Sequence, residues 1–177
     1  MKIVNIHSGL GNQMFQYAFY LSLKKRYPNE QFKIDLSWFD DCNFHNGYEL
    51  ERIFEISEPV ASKKEVLEFS SAVGMDLSAR IKRRLIRKKT EVIEEPKFYH
   101  KFNGKYLEEV EGYSYFSGYW QEYRYFDWNK NSILEKFKFK EIKPDDELNY
   151  NVLRLIDSPN CNCVSIHVRR GDRKSVV

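Results

Sequence analysis

Residues 3–13 read I-V-N-I-H-S-G-L-G-N-Q, and this stretch decides the fold class that the sequence predicts. Ile3–Ile6 is a short apolar run typical of a buried strand, and glycines interrupt the chain soon after it. Apolar residues then recur at helical spacing from Met14 to Tyr27, and a second strand-like run, Phe32–Asp35, follows. A strand, a glycine loop, a helix and a second strand in this order indicate an α/β fold with parallel strands.

The rest of the chain also contains both helix and strand patterns. Ser62–Glu65 has the S-x-x-E spacing of a capping box, which predicts the start of a helix. Residues 80–89 are expected to be helical as well. Gly112–Phe126 begins with the alternation of a strand and ends in a helical turn. Asp145–Asp157 predicts a further helix, and Val164–Val168 predicts a strand that leads into two arginines.

Length and composition limit the class of protein. The chain has 177 residues, enough for one domain or for one domain and part of a second. Its hydrophobic content of 42% can form a core, which argues against an intrinsically disordered protein. The sequence has no recognisable signal peptide, and no apolar run approaches the roughly 20 residues that cross a bilayer. We therefore expect a cytoplasmic protein.

The positive charge is concentrated in residues 80–89. This segment has basic residues at seven of its positions and no acidic residue, whereas the whole chain has a net charge of only +3. The remainder is therefore net negative, which is not the pattern of a general nucleic-acid-binding protein. A basic amphipathic helix can bind the anionic inner face of a membrane, and a solvated charged face is an equally good interpretation. We expect peripheral membrane contact through 80–89 as a hypothesis, and no nucleic acid.

Cysteine and histidine spacing does not indicate a metal site. The cysteines are Cys42, Cys161 and Cys163, and an odd number without a framework spacing favours a reducing compartment. A zinc site needs about four ligands, and no histidine pair accompanies the two neighbouring cysteines. We predict that the protein holds no metal.

The loop Gly9-Leu10-Gly11-Asn12-Gln13 is the first candidate binding site. Glycines between a strand and a helix let backbone N–H groups point towards an anion. The dinucleotide fingerprint needs a third glycine where Met14 stands, so the loop does not match it. Asn12 and Gln13 are uncharged amides that suit sugar hydroxyls or a pyrophosphate oxygen. A tight turn in which Asn12 caps the helix explains the same residues equally well.

The run His167-Val168-Arg169-Arg170-Gly171-Asp172 is the second candidate site. Guanidinium groups bind phosphate oxygens in a bidentate way, so two adjacent arginines at a strand end predict a phosphate site. Strand alternation places Arg169 and Arg170 on opposite faces, unless the strand ends before Arg170, which Gly171 permits. The alternative is a surface ion pair between one arginine and Asp172.

Four motifs occur in order along the chain. They are G-L-G-N-Q-M-F-Q-Y-A at 9–18, H-N-G-Y-E-L-E-R-I-F at 45–54, G-Y-W-Q-E-Y-R-Y-F at 118–126 and H-V-R-R-G-D at 167–172. Together they resemble the bacterial α-1,2-fucosyltransferases, glycosyltransferase family 11. The motifs cover essentially the whole chain at sensible spacing, which makes the resemblance specific.

The resemblance implies a GT-B-like architecture, in which two Rossmann-like domains face a cleft. Residues 1–160 would form the N-terminal, acceptor-side domain, and residues 161–177 would begin a donor-binding domain that is cut short. In this family an aromatic residue usually follows R-R-G-D, whereas Arg173 stands there in this chain, and the family's C-terminal half is missing. We therefore expect a truncated enzyme whose activity as this chain is doubtful.

The activity that the resemblance implies is an inverting transfer of L-fucose from GDP-fucose to the 2-hydroxyl of a terminal galactoside, without a metal or other cofactor. Arg169 and Arg170 would hold the pyrophosphate and stabilise the leaving diphosphate. Asp172 is a third catalytic candidate by its chemistry alone. The substrate-binding residues that we predict are Gly9, Gly11, Asn12, Gln13 and His167.

Two other functions explain part of the same pattern. A non-catalytic module that binds sugars or a lipid surface would also account for the glycine loop and the basic segment. Another GDP-fucose-dependent fucosyltransferase, such as one acting on proteins or chitin oligosaccharides, would share the arginine run. The motifs at 45–54 and 118–126 favour family 11 over this last alternative.

Overall fold

The computed structural model describes most of the chain, and the chain forms two compact units. The described residues are 1–41, 46–69, 92–95, 101–108, 110–143, 145–159, 162–164 and 166. The first unit is Met1–Lys140 and the second is Glu141–Val177. The domain boundary at residue 160, which the family resemblance implies for a two-domain enzyme, stays a prediction.

A four-stranded parallel sheet forms the centre of the first unit. Its strands are β1 (Lys2–Asn5), β2 (Phe32–Asp35), β3 (Val92–Glu94) and β4 (Tyr115–Ser117), and their order across the sheet is β2-β1-β4-β3. β1 pairs with β2 over its whole length and with β4 at Ile3 and Val4. The prediction of an α/β fold with parallel strands is confirmed, and the arrangement is that of a Rossmann-like sheet.

Helix α1 (Leu10–Arg26) packs its aromatic residues on one face of the sheet. Tyr17, Phe19, Tyr20 and Leu23 are fully buried there with side chains from all four strands. The ring of Phe19 stacks on Trp120 with centroids 4.1 Å apart. Because each aromatic ring buries a large apolar area, this face supplies most of the core.

The sequence predicts a helix that starts only after the glycine break and a cap at Asn12, and this start is too late by about one turn. The helix begins at Leu10, and Gly11 lies inside its first turn. A glycine near a helix end costs little, because the backbone there is already partly exposed to water. Leu10 and Met14 both pack against the core, which favours helix from the earlier residue. The predicted end before Pro28 is confirmed, since the last helical residue is Arg26.

Helix α4 (Lys63–Phe69) covers the opposite face of the sheet. Its predicted capping box is confirmed. The N–H of Ser62 donates to Oε2 of Glu65 at 2.8 Å, and the N–H of Glu65 donates to Oγ of Ser62 at 3.3 Å. Val66 then packs on Ile3 and Tyr115 in a smaller apolar cluster. Both faces of β1 are therefore covered, which explains why its residues read as one unbroken buried run.

Shorter elements complete the first unit. They are α2 (Trp38–Asp41), α3 (Leu50–Ile53), α5 (Lys105–Glu108), α6 (Lys130–Lys136) and two 3₁₀ turns at Tyr123–Tyr125 and Asp127–Asn129. The predicted strand followed by a helical turn within Gly112–Phe126 is confirmed by β4 and the first 3₁₀ turn. The basic segment 80–89 lies outside the described residues. None of the described helices is long and apolar enough to cross a bilayer.

The second unit contains α7 (Glu147–Ile156), which confirms the helix predicted for that stretch. The side chain of Asp146 accepts a hydrogen bond from the N–H of Asn149 at 3.3 Å and so caps the helix. None of the residues in α7 is buried. Val164 and Ile166 belong to no strand and are 85% and 82% exposed, so the predicted strand is not formed at these two residues. The rest of that prediction lies outside the described residues.

Candidate functional site

The two central strands, β1 and β4, end side by side at the carboxyl edge of the sheet. The loop 7–9 follows β1, and the loop 118–121 follows β4. Ligands of open parallel sheets bind in the crevice outside the carboxyl ends of the strands. These two loops are therefore the expected place for a site. The motif at 9–18 starts at the end of the first loop, and the motif at 118–126 starts with the second loop.

The glycine loop enters α1 without a capping side chain. Gly9 is the N-cap residue, with an extended backbone of φ −77° and ψ 168°, and within the described part of the chain the helix has no side-chain cap hydrogen bond. Asn12 therefore does not cap the helix, and that interpretation is wrong, because Asn12 already lies within the first turn. Gly11 is exposed, and a Cβ placed on it would meet nothing within 4 Å. Among the described residues, nothing therefore packs on Gly11, the neighbour of Asn12.

Asn12 contacts the loop that follows β4. Its Oδ1 atom accepts a hydrogen bond from Nε2 of Gln121 at 2.6 Å, across 109 residues of sequence. The bond leaves the N–H₂ group of Asn12 and the carbonyl of Gln121 without a hydrogen-bond partner among the described residues. One donor group and one acceptor group of this amide pair therefore have no partner among the described residues, and both are of the kind that binds the hydroxyls of a sugar.

Gln13 holds the motif at 45–54 against the same end of α1. Its buried Nε2 atom donates to the carbonyls of Ser8 at 2.8 Å and Gly47 at 2.9 Å. Its Oε1 atom accepts from the N–H of Glu49 at 2.9 Å. Both amide N–H bonds are thus used inside the protein, and Gln13 lies beneath the loops. Contact of Gln13 with a substrate stays a prediction.

Gln16 joins the loops after β1 and β4 to each other. Its fully buried side chain accepts from the N–H of His7 at 2.9 Å and donates to the carbonyl of Gly118 at 3.1 Å. Asn12 and Gln16 are four residues apart, so they lie on the same face of α1. The amino end of α1, which belongs to the first motif, is therefore bonded by amide side chains to two of the other three motifs, those at 45–54 and 118–126.

His7, in the loop after β1, packs against the loop after β4. Its ring meets Tyr119 edge to face with centroids 4.8 Å apart, and its Nδ1 atom is 2.9 Å from Oγ of Ser8. Burial lowers the pKa of His7 to about 4, although a hydrogen bond to the backbone of Gly118 favours the charged form. The imidazole is therefore neutral near pH 7.

A buried carboxylate fixes the neighbouring strand end. Asp35, the last residue of β2, is only 1% exposed. Its Oδ2 atom accepts from the hydroxyl of Tyr115 at 2.6 Å and from Nδ2 of Asn5 at 3.1 Å, and its Oδ1 atom accepts from the N–H of Ser37 at 2.8 Å. Such a satisfied buried network makes the strand ends rigid. It gives the loops above it a fixed base.

The described part of the chain includes only some of the predicted site residues. Gly9, Gly11, Asn12 and Gln13 are described, and they lie together at the start of α1. His167, Arg169, Arg170 and Asp172 lie outside the described residues, so their roles stay predictions. Across the described ranges, no group of three His, Cys, Asp or Glu residues could hold a metal ion.

Residues that connect the motifs were not predicted as site residues. Gln121 and Tyr119 lie inside the motif at 118–126, and Gln16 lies one helical turn after Asn12. A glutamine on the same helix face as Asn12 is a sequence signal that could have identified Gln16. His7 directly follows the first apolar run, which places it at a strand end.

Two curated proteins from Escherichia coli are similar to this chain. An alpha-1,2-colitosyltransferase is 33% identical over 177 residues, covering 99% of this chain and 56% of that protein. The O-antigen biosynthesis glycosyltransferase WbnK is 29% identical, covering 94% of this chain and 58% of that protein. The chain spans little more than half the length of these relatives. No protein-family model matches the chain, and no solved structure does.

The parallel sheet and its polar carboxyl edge define a Rossmann-like α/β domain, and the similar proteins are glycosyltransferases. Both relatives are consistent with the resemblance to the bacterial fucosyltransferases of family 11 that the four motifs predicted.

Proposed function

We propose that this chain is the acceptor-side part of an inverting glycosyltransferase that moves L-fucose from GDP-fucose to the 2-hydroxyl of a terminal galactoside. The observation that carries the proposal is the bond between Asn12 and Gln121, which joins the first and third motifs at the carboxyl edge. The names of the two similar proteins supply the reaction class. Because the chain spans little more than half of its relatives, the activity of the whole protein is part of the proposal.

The chemistry of the edge supports an uncharged acceptor. The amides of Asn12 and Gln121 offer a donor and an acceptor, and the nearby ring of His7 is neutral. Tyr119 is 38% exposed beside them and can cover an apolar sugar face with its ring. In this proposal the protein orients the acceptor hydroxyl here, which lowers the entropic part of the barrier.

The donor half of the proposal rests on the arginine run. Arg169 and Arg170 would bind the pyrophosphate of the sugar nucleotide and stabilise the charge of the leaving diphosphate, with no metal. Asp172 would complete the set of catalytic residues, and His167 would help to shape this loop. A GT-B-like cleft between two domains belongs to the same proposal.

The identity of the donor sugar has a close alternative. One similar protein is named a colitosyltransferase, and colitose is L-fucose without the hydroxyl at C3. The two donors therefore differ by a single polar group, and one site could be built for either. A cytoplasmic location and contact of residues 80–89 with an anionic membrane surface remain predictions of the same hypothesis.

Galactoside binding by the chain tests the acceptor half. We expect saturation-transfer NMR to show contact between the purified chain and methyl β-galactoside. Asn12→Ala should weaken the binding by about tenfold, because one hydrogen bond of about 1.4 kcal/mol corresponds to that factor. Asn131→Ala removes the same amide from an exposed position on α6 and should leave the affinity unchanged. No saturation transfer, or equal losses in both variants, would contradict the acceptor assignment.

Incubation with sugar nucleotides tests the reaction. The chain is mixed with the galactoside and either GDP-fucose or GDP-colitose, and the products are analysed for an α-1,2 linkage. Titration of GDP alone reports on the donor side, where Arg170→Ala should abolish binding. A product from GDP-colitose alone would replace fucose in the proposal, and a linkage to another hydroxyl would refute the regiochemistry.

A further inference from the structure

Glu95 lies directly after β3, beside the loop that follows β4. Its N–H donates to the carbonyl of Ser117 at 2.8 Å, which continues the pairing of β3 with β4 by one residue. The residue is 8% exposed, so its carboxylate lies beneath the carboxyl edge and not on its surface. No motif in the sequence includes this residue, and none of the reactions considered above uses it.

The carboxylate of Glu95 is bound by two consecutive backbone N–H groups. Its Oε2 atom accepts from Tyr119 at 2.7 Å and from Trp120 at 2.9 Å. Successive N–H groups that converge in this way form a concave anion site, and a charged acceptor makes each bond stronger than a neutral one. Trp120 has φ 54°, an uncommon value for a bulky residue. The carboxylate therefore holds the loop in a conformation that it would not adopt by itself.

Gly118 fixes the same loop from the other side. A Cβ at this position would lie 2.5 Å from Cβ of Glu95 and 2.9 Å from Cε2 of Trp120. Neither atom is the far end of a flexible side chain, so only glycine fits. The close approach brings the backbone of the loop down onto Glu95. The first three residues of the motif at 118–126 thus lie against one buried side chain, and Gln121 follows them directly.

The seated loop carries the groups that face the candidate site. Tyr119 meets the ring of His7 at 4.8 Å, and Gln121 donates to Asn12 at 2.6 Å. A shift of the loop would move both groups together. Glu95 itself does not reach the site, and its Oε1 atom has no hydrogen-bond partner in the described part of the chain.

We propose that Glu95 is a positioning residue, which sets the places of Tyr119 and Gln121 at the carboxyl edge for recognition of a glycan. The glycan is the ligand of the proposed function, and this part of the inference rests on it. The seating of the loop on Glu95 does not depend on the proposed function, because it follows from contacts within the chain alone.

Two substitutions separate positioning from charge. Glu95→Gln keeps an oxygen that can accept both N–H bonds, so the loop stays in place. Glu95→Ala removes the acceptor and leaves two buried N–H groups unpaired, so the loop must move. Glu95→Gln should therefore retain the loop position that Glu95→Ala loses.

A readout without ligand tests the seating. In the ¹⁵N–¹H spectrum of the full chain, the side-chain amide of Gln121 and the indole of Trp120 report on the loop. We expect both resonances to shift in Glu95→Ala and to remain close to their original positions in Glu95→Gln. Unchanged resonances in Glu95→Ala would overturn the proposal, whether or not the chain binds a sugar.

Binding of methyl β-galactoside tests the consequence. Glu95→Ala should weaken it by about tenfold or more, since displacements of about 1 Å can cost up to about a hundredfold in a positioned site. Glu95→Gln should stay within about threefold of the original affinity, because it retains both bonds to the loop. Ile133→Ala, a core truncation in α6 away from the loop, controls for lost stability through its Tm.

The outcomes distinguish the two proposals. Equal loss of affinity in Ile133→Ala and Glu95→Ala at a similar fall in Tm would reduce Glu95 to a general stabilising residue and overturn the positioning role. Shifted Gln121 resonances in a chain that binds no galactoside would refute the proposed acceptor and leave the seating intact.

Discussion

The two halves of α1 make different kinds of contact. In residues 10–16 the bonding side chains are uncharged amides, and they reach the loops at the carboxyl edge of the sheet. In residues 17–26 aromatic rings enter the core, and Lys24 extends to the carboxylate of Glu58. The difference shows that one helix can present a neutral polar surface at one end and be anchored by charge at the other.

The anchor is a buried carboxylate with three donors. Glu58 accepts from the hydroxyls of Tyr17 at 2.8 Å and Tyr20 at 2.9 Å and from Nζ of Lys24 at 2.8 Å. Burial acts to raise the pKa of Glu58, but the three hydrogen bonds outweigh it and hold the pKa below its usual range. Burial and the same carboxylate raise the pKa of both tyrosines.

The largest effect is expected from breaking the anchor. Glu58→Ala leaves two tyrosine hydroxyls without their acceptor, and should cost about 2–4 kcal/mol of the free energy of unfolding. Urea denaturation measures this loss. The side-chain amide resonance of Gln121 should stay in place, because the other half of α1 is untouched. Glu55→Ala, at an exposed position in the same segment, is the matched control and should change stability by less than about 0.5 kcal/mol.

If Glu58→Ala lowered the free energy of unfolding by less than about 1 kcal/mol, the hydroxyls of Tyr17 and Tyr20 would have found other partners. The carboxyl half of α1 would then not depend on a charged anchor. A shift of the Gln121 resonance would show that the halves are coupled.

A smaller loss of stability is expected from Gln16→Leu. The variant leaves the N–H of His7 and the carbonyl of Gly118 unpaired, at a cost of about 1–3 kcal/mol. Unlike Glu58→Ala, it should also shift the Gln121 resonance and weaken galactoside binding, because Gln16 holds the two loops together. The exposed substitution Gln31→Leu provides the same chemical change away from the site. An unchanged Gln121 resonance in Gln16→Leu would show that Gln16 does not hold the loop after β4 in position.

The smallest expected effect is on the pH dependence of stability, which distinguishes His7, at the amino half of α1, from Glu58, at its carboxyl half. The folded-state pKa of His7 is about 4, below the value of about 6.5 in an unfolded chain. Between these two values His7 is protonated in the unfolded state and neutral in the folded state. The free energy of unfolding therefore falls as the pH decreases from about 6.5 to about 4. His7→Gln should flatten this part of the profile of Tm against pH.

Glu58 acts in a lower range of pH. Its pKa is depressed in the folded state, so its contribution is present above the unfolded value of about 4.3 and is lost as the pH falls through the folded value. Glu58→Gln should change the profile only in that acidic range. If His7→Gln and Glu58→Gln changed the profile of Tm against pH over the same range, the two groups would not act separately.

Local patterns predicted several elements of the fold but not β3 or the short helices α2, α3, α5 and α6, and distant contacts were beyond them. The strand Phe32–Asp35 and the helix that starts after Ser62 came from alternation and a capping box, which depend on neighbours in sequence. The start of α1 was misjudged because Gly11 was read as a breaker, although packing of Leu10 and Met14 favours helix there. Tertiary packing commonly overrides local propensity in this way.

The candidate site was only partly predictable for the same reason. Asn12 was identified by its chemistry, but its bond to Gln121 joins residues 109 positions apart. Glu95 has no sequence signal at all, since its function depends on the backbone of a loop that comes later in the chain. The arginine run, which the sequence made most prominent, lies outside the described residues.

The order of strands in the sheet has a consequence for biosynthesis. β1 is made first but lies at the centre, between β2 and β4. About 80 further residues follow β2 before β4 is made, which takes roughly 4–16 s at a synthesis rate of about 5–20 residues per second. During that interval the second edge of an apolar strand has no partner from its own chain. The nascent chain therefore passes through a stage in which a chaperone or another nascent chain can pair with β1.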